Sequence, residues 1–354
     1  MPRRFSVGPA VRASWRRRLG IVPFGRTLPE APVVDTRPDW QQADAHWIRR
    51  ALARSQELPS GGWYVLDASR SFSEQPRRMH VAGLPLVVFR SGAQLVAARD
   101  ACPHMGASLS EGYVCEGKLI CPWHGLALGP GREAGFRPFR TYDDGELLWL
   151  QLSAAHVAGG TAPGELSARP YLPERPARGL SAVIRMEARC EPRDVVQNRL
   201  DPWHGAHYHP HSFGRLRVIG QTEDAITVRV AYKVAGPLAV EVDARFHCPD
   251  PRSIVMTILR GDGQGSVVET HATPLAEGRT AIVELTLASS DRPGFGLALR
   301  AAPVLQPIMR WAAARLWTED ARYAERLYEL RQTAHAHKEL ASIHVDGEER
   351  AQLG

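Results

Sequence analysis

The chain has 354 residues and a formal net charge of +6, with 44% hydrophobic and 23% charged residues. This ordinary globular usage excludes a disordered or fibrous protein, and the length allows about two domains of the usual ~100–200 residues. Five cysteines are too few for a disulfide scaffold, and no uncharged apolar run approaches the ~20 residues of a membrane helix.

The positive charge is concentrated before residue 20, where six arginines precede a nearly neutral remainder. A charge so placed does not form the basic face of a duplex-binding protein. We expect a solvated tail, or a segment that docks an acidic protein partner. Because no apolar stretch of an export signal follows Arg3-Arg4, we predict a cytoplasmic protein with a basic N-terminal extension over residues 1–59.

The end of this extension is predicted to be helical and to lead into a small all-β domain. Residues Asp39 to Leu58 have helical spacing before the stop at Pro59. Their apolar positions share one side: Trp40, Ala43, Trp47 and Ala51. Short strand-like runs with intervening turns then predict an all-β domain over residues 60–157. The runs are Trp63–Leu66, Leu84–Phe89, Gln94–Ala98, Leu119–Cys121 and Leu147–Leu152.

The second half of the chain is predicted to be an α+β domain. Residues 158–182 are rich in Pro and Gly and are predicted to be a linker. Within residues 183–340, strand-like runs precede a strongly helical segment from Leu305, and residues 341–354 form a tail. The runs are Leu216–Ile219, Ala225–Lys233, Ala239–His247, Ser253–Leu259, Ser266–Thr273 and Thr280–Ala288. We expect a ligand cavity between the antiparallel sheet and the helix.

Four metal-ligand residues lie on two turns of the all-β domain: Cys102, His104, Cys121 and His124. Their order is C-x-H, sixteen residues, then C-x-x-H. Two thiolates and two imidazoles suit the two unlike irons of a 2Fe–2S cluster. A zinc site uses the same ligand types, but zinc fingers pair Cys with Cys and His with His at short spacing.

This segment resembles the Rieske iron–sulfur family, in which each half-site contributes one Cys, one His and a following Gly. The resemblance implies a Rieske-type 2Fe–2S cluster held by those four residues. Rieske proteins of the cytochrome bc type carry an extra cysteine in each loop, where this chain has Ala107 and Trp123. The chain is therefore similar to the ferredoxin and oxygenase branch.

A second candidate site lies in residues 195–211, where four histidines fall within eight residues. A continuous helix would place Asn198, Asp201 and His204 on one face. On a straight helix His207 would share that face better than His209, unless Gly205 and Pro210 break the helix. Both histidines therefore stay open as metal ligands.

The pattern N-x-x-D-x-x-H-x₄-H, downstream of a Rieske motif, resembles the mononuclear iron motif of Rieske-type non-haem iron oxygenases. The resemblance implies iron ligands at His204 and His209, and catalytic roles for Asp201, the carboxylate that bridges the two metal centres, and for Asn198. It also implies a third, carboxylate ligand on the C-terminal helix. Asp320 shares a helix face with the cavity side and is preferred, whereas Glu319 is expected to point away and is the substitute.

The resemblance implies a Rieske domain followed by a helix-grip (START-like) catalytic domain, and mononuclear Fe(II) beside the cluster. It implies the terminal oxygenase of a multicomponent system, a homotrimer whose electrons come from a separate NAD(P)H-dependent reductase or ferredoxin. The apolar composition of the second block suggests an apolar or aromatic substrate, with monooxygenation favoured over dioxygenation. The alternative is a Rieske ferredoxin-like electron carrier without oxygenase activity. No dinucleotide-binding turn or second cluster motif is visible in the sequence.

Overall fold

The computed structural model describes residues 22–23, 25–29, 39–131, 133–157, 165–235 and 238–352. The arginine-rich segment before residue 20 and the first part of the predicted linker lie outside the described residues. Labels below number strands and helices in chain order, beginning with the short strand β1 (Val22–Pro23) and the helix α1 (Ala45–Glu57).

The first domain consists of three small antiparallel sheets of three strands each. Their nine strands are β2 (Trp63–Ala68), β3 (Arg77–Val81), β4 (Leu84–Ser91), β5 (Gln94–Arg99), β6 (Tyr113–Cys115), β7 (Lys118–Ile120), β8 (Ala127–Leu128), β9 (Arg140–Asp143) and β10 (Leu147–Gln151). The sequence analysis missed β3, β6, β8 and β9. These strands are short or mostly polar, so their pairing depends on neighbouring strands more than on their own periodicity.

The second domain is built on one large antiparallel sheet with the order β11-β17-β16-β15-β14-β13-β12, to which β1 adds in parallel beside β14. Its strands are β11 (Leu180–Ala188), β12 (Phe213–Gln221), β13 (Ala225–Ala235), β14 (Leu238–Asp250), β15 (Ser253–Gly261), β16 (Val267–Ala276) and β17 (Arg279–Ala288). Three helices interrupt or follow the strands: α2 (Pro192–Arg199), α3 (Gly205–Tyr208) and α4 (Phe295–Arg300).

A long final helix, α5 (Ala302–Gln352), packs across this sheet. Trp317, Ala321 and Ala324 of α5 are buried in one core cluster with Ile184 of β11 and Ile282 of β17. This layer of helix on antiparallel sheet, after an all-β first domain, confirms the predicted α+β class. The helix runs past residue 340, where the sequence predicted a tail, because helix-favouring Ala, Glu and Arg continue there.

Helix α1 joins the N-terminal part of the described chain to the large sheet of the second domain. Its N-cap Asp44 accepts hydrogen bonds from the backbone N–H groups of His46 and Trp47, both at 3.0 Å. Trp47 is buried against β12–β14. The prediction that Trp40 shares one helix side with Trp47 is wrong, because Asp39–Gln42 is a separate 3-10 turn and Trp40 is 73% exposed.

The two domains are joined by a buried ionic contact that involves Arg175. Its guanidinium lies 2.6 Å from Glu269 Oε1 on the sheet and 3.1 Å from Asp144 Oδ2 in the first domain. The indole N–H of Trp149 donates to the same Asp144 oxygen at 2.8 Å. Burial alone would raise the pKa of Asp144 and of Glu269. Hydrogen bonds from Arg175, the Leu147 backbone and Trp149 hold the pKa of Asp144 below its usual value. Hydrogen bonds from His271 and Arg175 do the same for the pKa of Glu269.

One apolar part of the second domain is left uncovered by the described residues. From Phe295 through Leu316, across α4 and the first turns of α5, no residue is buried. Four of its side chains are large, apolar and more than half exposed: Leu297, Val304, Ile308 and Trp311. No helix among the described residues has both the length and the apolar character that crossing a membrane requires.

Candidate functional site

Two turns of matching geometry carry the Cys and His residues of the first motif. Cys102 follows β5 and Cys121 follows β7. In each turn the cysteine carbonyl accepts from the N–H of a glycine four residues later, Gly106 at 2.8 Å and Gly125 at 3.0 Å. Both glycines have positive φ, +81° and +70°, a conformation that side chains disfavour. The glycine after each half of the motif is therefore required by the turn itself.

The turns bring the four side chains to one end of the domain. Cys102 and Cys121 are buried, with their thiols hydrogen-bonded to each other, whereas His104 and His124 are exposed. The two imidazole rings contact edge to face with centroids 4.9 Å apart. A sulfur pair on the inside and an imidazole pair on the outside is the donor set that a Rieske cluster requires.

Backbone N–H groups point at both sulfurs. Cys102 accepts from His104 and Met105, and Cys121 accepts from Trp123 and His124. Burial alone would raise the pKa of Cys121, but these donors and the Cys102 thiol lower it overall. Such donors stabilise a thiolate, which is the form that binds iron.

Asp100 secures the first turn and was not identified from the sequence. This buried carboxylate accepts from the hydroxyls of Ser108 and Ser110, both at 2.8 Å, and from the backbone N–H of Ser110 at 2.7 Å. The sequence offers a weak signal, since an Asp two residues before the first cysteine can reach serines on the far side of the turn.

In the second domain, one carboxylate of α5 meets two histidines. Asp320 Oδ1 lies 2.9 Å from His204 Nε2 and 2.8 Å from His209 Nε2. The three potential ligand atoms lie within 4.8 Å of one another, and His209 and Asp320 are each only 1% exposed. Burial alone would raise the pKa of Asp320, but its hydrogen bonds with the two histidines lower it well below the usual range.

The chain between α2 and β12 is broken, and the break positions the histidines. The prediction of one helix face for Asn198, Asp201 and His204 is wrong, because α2 ends at Arg199 and a 3-10 turn covers Pro202–His204. Asp201 lies between the two in a non-helical conformation. Asn198 nevertheless reaches the site, where its Nδ2 donates to Asp320 Oδ1 at 3.3 Å.

The two alternative histidines and the two alternative carboxylates lie in different places relative to this group. His207 is exposed and lies outside the group, while His209 follows the end of α3 and turns into it. The helical pattern of α5 predicted that Glu319 points away from the site, but this prediction is wrong. Glu319 Oε2 lies 2.5 Å from His209 Nδ1, because that ring reaches across the side of α5.

Asp201 lies beside this group without joining it. Its Oδ2 accepts from the Tyr323 hydroxyl at 3.3 Å, and its backbone carbonyl contacts His204 Nδ1. The Tyr323 ring stacks on His204 with centroids 5.1 Å apart. Among the described residues, Asp201 Oδ1 is buried and has no hydrogen-bond partner. Burial raises the pKa of Asp201, although the neighbouring His204 opposes the shift.

A cavity of about 110 Å³ opens beside His204, His209 and Asp320. As expected from the sequence, much of its wall is apolar and comes from the sheet. The apolar side chains include Phe213, Val228, Val230, Phe246, Met256 and Val268. Two charged residues that the sequence analysis missed, Arg199 and Glu284, also line it.

Two segments of the chain match models of known domain families. Residues 62–136 match the Rieske [2Fe-2S] domain, and residues 160–335 match a domain of unknown function, DUF5914. The first match contains all four residues of the Cys/His motif, and the second contains His204, His209 and Asp320.

Among curated proteins, the chain is 28% identical over 174 residues to the vanillate O-demethylase oxygenase subunit of Pseudomonas sp. (strain HR199 / DSM 7063), covering 46% of this chain and 48% of that protein. It is 28% identical over 207 residues to the dicamba O-demethylase oxygenase component of Stenotrophomonas maltophilia, covering 52% and 58%. The chain thus spans about half the length of these curated relatives.

Among solved structures, dicamba monooxygenase bound to dicamba superposes with a TM-score of 0.59 at 20% identity, covering 79% of this chain and 90% of that one. At this identity the likeness shows the fold. The donor sets at both sites fit a Rieske 2Fe–2S cluster and a mononuclear non-haem iron. The chain therefore has a Rieske [2Fe-2S] domain and the fold of a Rieske non-haem iron oxygenase, and it is similar to the oxygenase subunits of that family.

Proposed function

We propose that the chain is the terminal oxygenase component of a multicomponent Rieske oxygenase. One observation carries the proposal: two histidines and a carboxylate, His204, His209 and Asp320, converge at the wall of a largely apolar cavity, in a chain that also carries paired Cys/His turns. An electron carrier needs the cluster alone and has no use for a second metal site beside a cavity.

The donor geometry supports one residue assignment for each centre. Cys102, His104, Cys121 and His124 would hold the cluster. His204, His209 and Asp320 would hold Fe(II), because two histidines and one carboxylate leave coordination positions open for O₂ and substrate. When both are bound, the cluster supplies single electrons and the iron supplies O₂ activation. Asn198 positions the Asp320 carboxylate through its 3.3 Å hydrogen bond.

Asp201 is the residue that connects the two centres between subunits. Within the described chain no hydrogen bond joins Asp201 to His104 or His124, and both histidines are exposed. Asp201 Oδ1 has no partner among the described residues, and it is the acceptor that we propose for an imidazole of a neighbouring copy. A carboxylate between two imidazoles fixes their tautomers and stabilises positive charge on either ring.

This bridge requires an oligomer, and we propose a homotrimer. The uncovered apolar side chains of α4 and α5 support an oligomer, since a second copy can bury them. The exposed Met105 and Trp123, 63% and 58% accessible, supply apolar contact area beside the cluster turns. Electrons reach the cluster from a separate NAD(P)H-dependent reductase or ferredoxin, and the basic N-terminal segment helps to recruit it. The trimer acts in the cytoplasm.

The reaction we propose is monooxygenation of an apolar or aromatic small molecule. Both curated relatives are named O-demethylases, which favours insertion of one oxygen atom over dioxygenation. The apolar sheet face of the cavity excludes water and orients the hydrocarbon part of the substrate toward His204 and His209.

Metal analysis of anaerobically purified protein tests this function. The oxygenase should contain about three iron atoms and about two labile sulfides per chain, and its dithionite-reduced form should give a ferrous-nitrosyl EPR signal with nitric oxide. About two irons per chain with no nitrosyl signal would instead establish the electron carrier. Zinc at His204 and His209 after growth in iron-replete medium would establish a structural site.

A further inference from the structure

A buried arginine lines the same cavity as the proposed iron site. Arg199 is the last residue of α2, and its side chain is only 13% exposed. The guanidinium carbon lies 5.9 Å from the ring centroid of Phe246 and 5.6 Å from that of Trp317. The cation is thus held between two aromatic side chains and faces the cavity.

The guanidinium has five N–H donors, yet none of them makes a hydrogen bond within the described part of the chain. Its acidic neighbour is Glu284, whose Oε2 lies 3.6 Å from Arg199 Nη2, beyond hydrogen-bond distance. The Nε atom is completely buried and without a partner. Burying a cation costs free energy unless its N–H donors form hydrogen bonds. The Arg199 donors are therefore expected to bind a hydrogen-bond acceptor of a ligand in the cavity.

Glu284 is already engaged elsewhere and cannot fully satisfy Arg199. Its Oε2 accepts from the indole N–H of Trp317 at 2.6 Å and from the hydroxyl of Thr270 at 3.3 Å. Burial raises the pKa of Glu284, although the nearby Arg199 cation opposes this shift. The raised pKa favours the neutral acid form of Glu284. The other carboxylate of the cavity wall, Asp320, is engaged by His204 and His209. Among the described residues, the Arg199 guanidinium therefore lies in the cavity wall without an acceptor of its own.

We propose that Arg199 binds a carboxylate group of the substrate, so that the substrate is an aromatic or aliphatic acid rather than a neutral hydrocarbon. A planar guanidinium pairs with a carboxylate through two parallel hydrogen bonds, the strongest match that its donors can make. The hydrocarbon part then lies against the apolar sheet face beside Phe246. This inference rests on the proposed function and names the substrate class of that same cavity.

The test is binding of benzoate, a small aromatic carboxylate suited to a cavity of about 110 Å³. Calorimetric titration of the iron-loaded protein should show saturable benzoate binding and at least about tenfold weaker binding of benzamide, which has the same shape without the charge. Arg199→Met should weaken benzoate binding at least about tenfold and leave benzamide unchanged. Arg199→Lys, which keeps the charge but loses the paired donors, should lie between the two.

Arg185→Met is the matched control, because Arg185 also has a buried, unpartnered Nε and an acidic partner, Glu187 at 3.2 Å, but lies on β11 outside the cavity lining. Arg185→Met should therefore leave benzoate binding unchanged.

Repeating the titration on metal-free protein separates this inference from the proposed function. If metal-free wild-type protein binds benzoate and metal-free Arg199→Met does not, the carboxylate site is supported. This holds even if metal analysis finds no third iron. Equal affinity for benzoate and benzamide, undiminished benzoate binding in Arg199→Met, or no saturable benzoate binding at millimolar concentration would overturn it.

Discussion

His209 Nδ1 lies 2.5 Å from Oε2 of Glu319, on the opposite side of the imidazole ring from Asp320. Two consecutive carboxylates of α5 therefore contact the two nitrogens of one ring. A carboxylate on Nδ1 fixes the tautomer in which the Nε2 lone pair faces the metal and makes that nitrogen a stronger donor. Although burial alone would lower it, the pKa of His209 is raised by hydrogen bonds with Asp320 and Glu319.

Glu319→Gln should therefore weaken iron binding at the second site by about 10- to 100-fold, because the neutral amide no longer orients the ring as strongly. Iron retention against a graded chelator, measured by metal analysis, checks this. Glu329→Gln on the same helix, which removes only a partner of the exposed Arg326, is the control. Equal retention in Glu319→Gln and wild type would contradict the positioning role.

The two candidate histidine ligands make a matched pair of variants. His209→Ala should remove the mononuclear iron and leave the cluster spectrum intact, because only His209 of the two faces Asp320. His207→Ala should retain both metals, since that side chain is exposed. Iron quantitation beside the visible spectrum of the cluster distinguishes them. Loss of iron in the His207 variant alone would reverse the assignment.

Asp201→Asn should keep both metals but slow electron transfer between them by about 10- to 100-fold, since an amide supports the bridge between two imidazoles more weakly. The measurement is the rate at which the reduced cluster is reoxidised after rapid mixing with O₂. Metal content of the same sample serves as the control. A wild-type rate in the variant would remove Asp201 from the route.

The contact of Arg175 between the domains predicts a pH-dependent stability. Asp144 and Glu269 have pKa values below their usual 3.8 and 4.5 when folded, so their stabilisation is complete above those values and is lost as the pH falls through the lower, folded-state pKa values. Arg175→Met should cost about 3–5 kcal/mol at pH 7, because it removes the cation that both buried carboxylates share. Glu269 is then left with His271 at 3.3 Å, and Asp144 with the neutral Trp149 donor.

Urea unfolding at pH 7 and at stepwise lower pH checks this, and the difference between wild type and Arg175→Met should shrink below about pH 4.5. Arg326→Met breaks only an exposed pair with Glu329 and should cost at most about 1 kcal/mol at any pH. A pH-independent difference for Arg175→Met would show that lost packing, rather than charge, is responsible.

Much of the cluster site could be predicted from residue order because it is local. Each half-site is a single turn closed over four residues, from Cys102 to Gly106 and from Cys121 to Gly125. The α+β class was equally visible, since strand-like runs and a long helical segment follow one another along the chain. These features depend on contacts between residues near in sequence.

The iron site shows where sequence periodicity fails. The pattern suggested one helix for Asn198, Asp201 and His204, but Pro202 begins a separate turn. The face of α5 suggested that Glu319 is remote, yet His209 reaches across to it. A helical wheel describes one isolated helix, whereas the position of His209 depends on how the chain after α3 packs against α5.

By itself, the sequence determined the two ligand motifs, the order of the domains and the α+β class, because each is carried by residues close together in the chain. Only the tertiary structure brought His209, rather than His207, against Asp320, gave Glu319 its contact, and placed Arg199 and Glu284 in one cavity. His209 and Asp320 are 111 residues apart. Contacts over such separations depend on how the sheet, the broken segment and the final helix pack together, which local pattern does not specify.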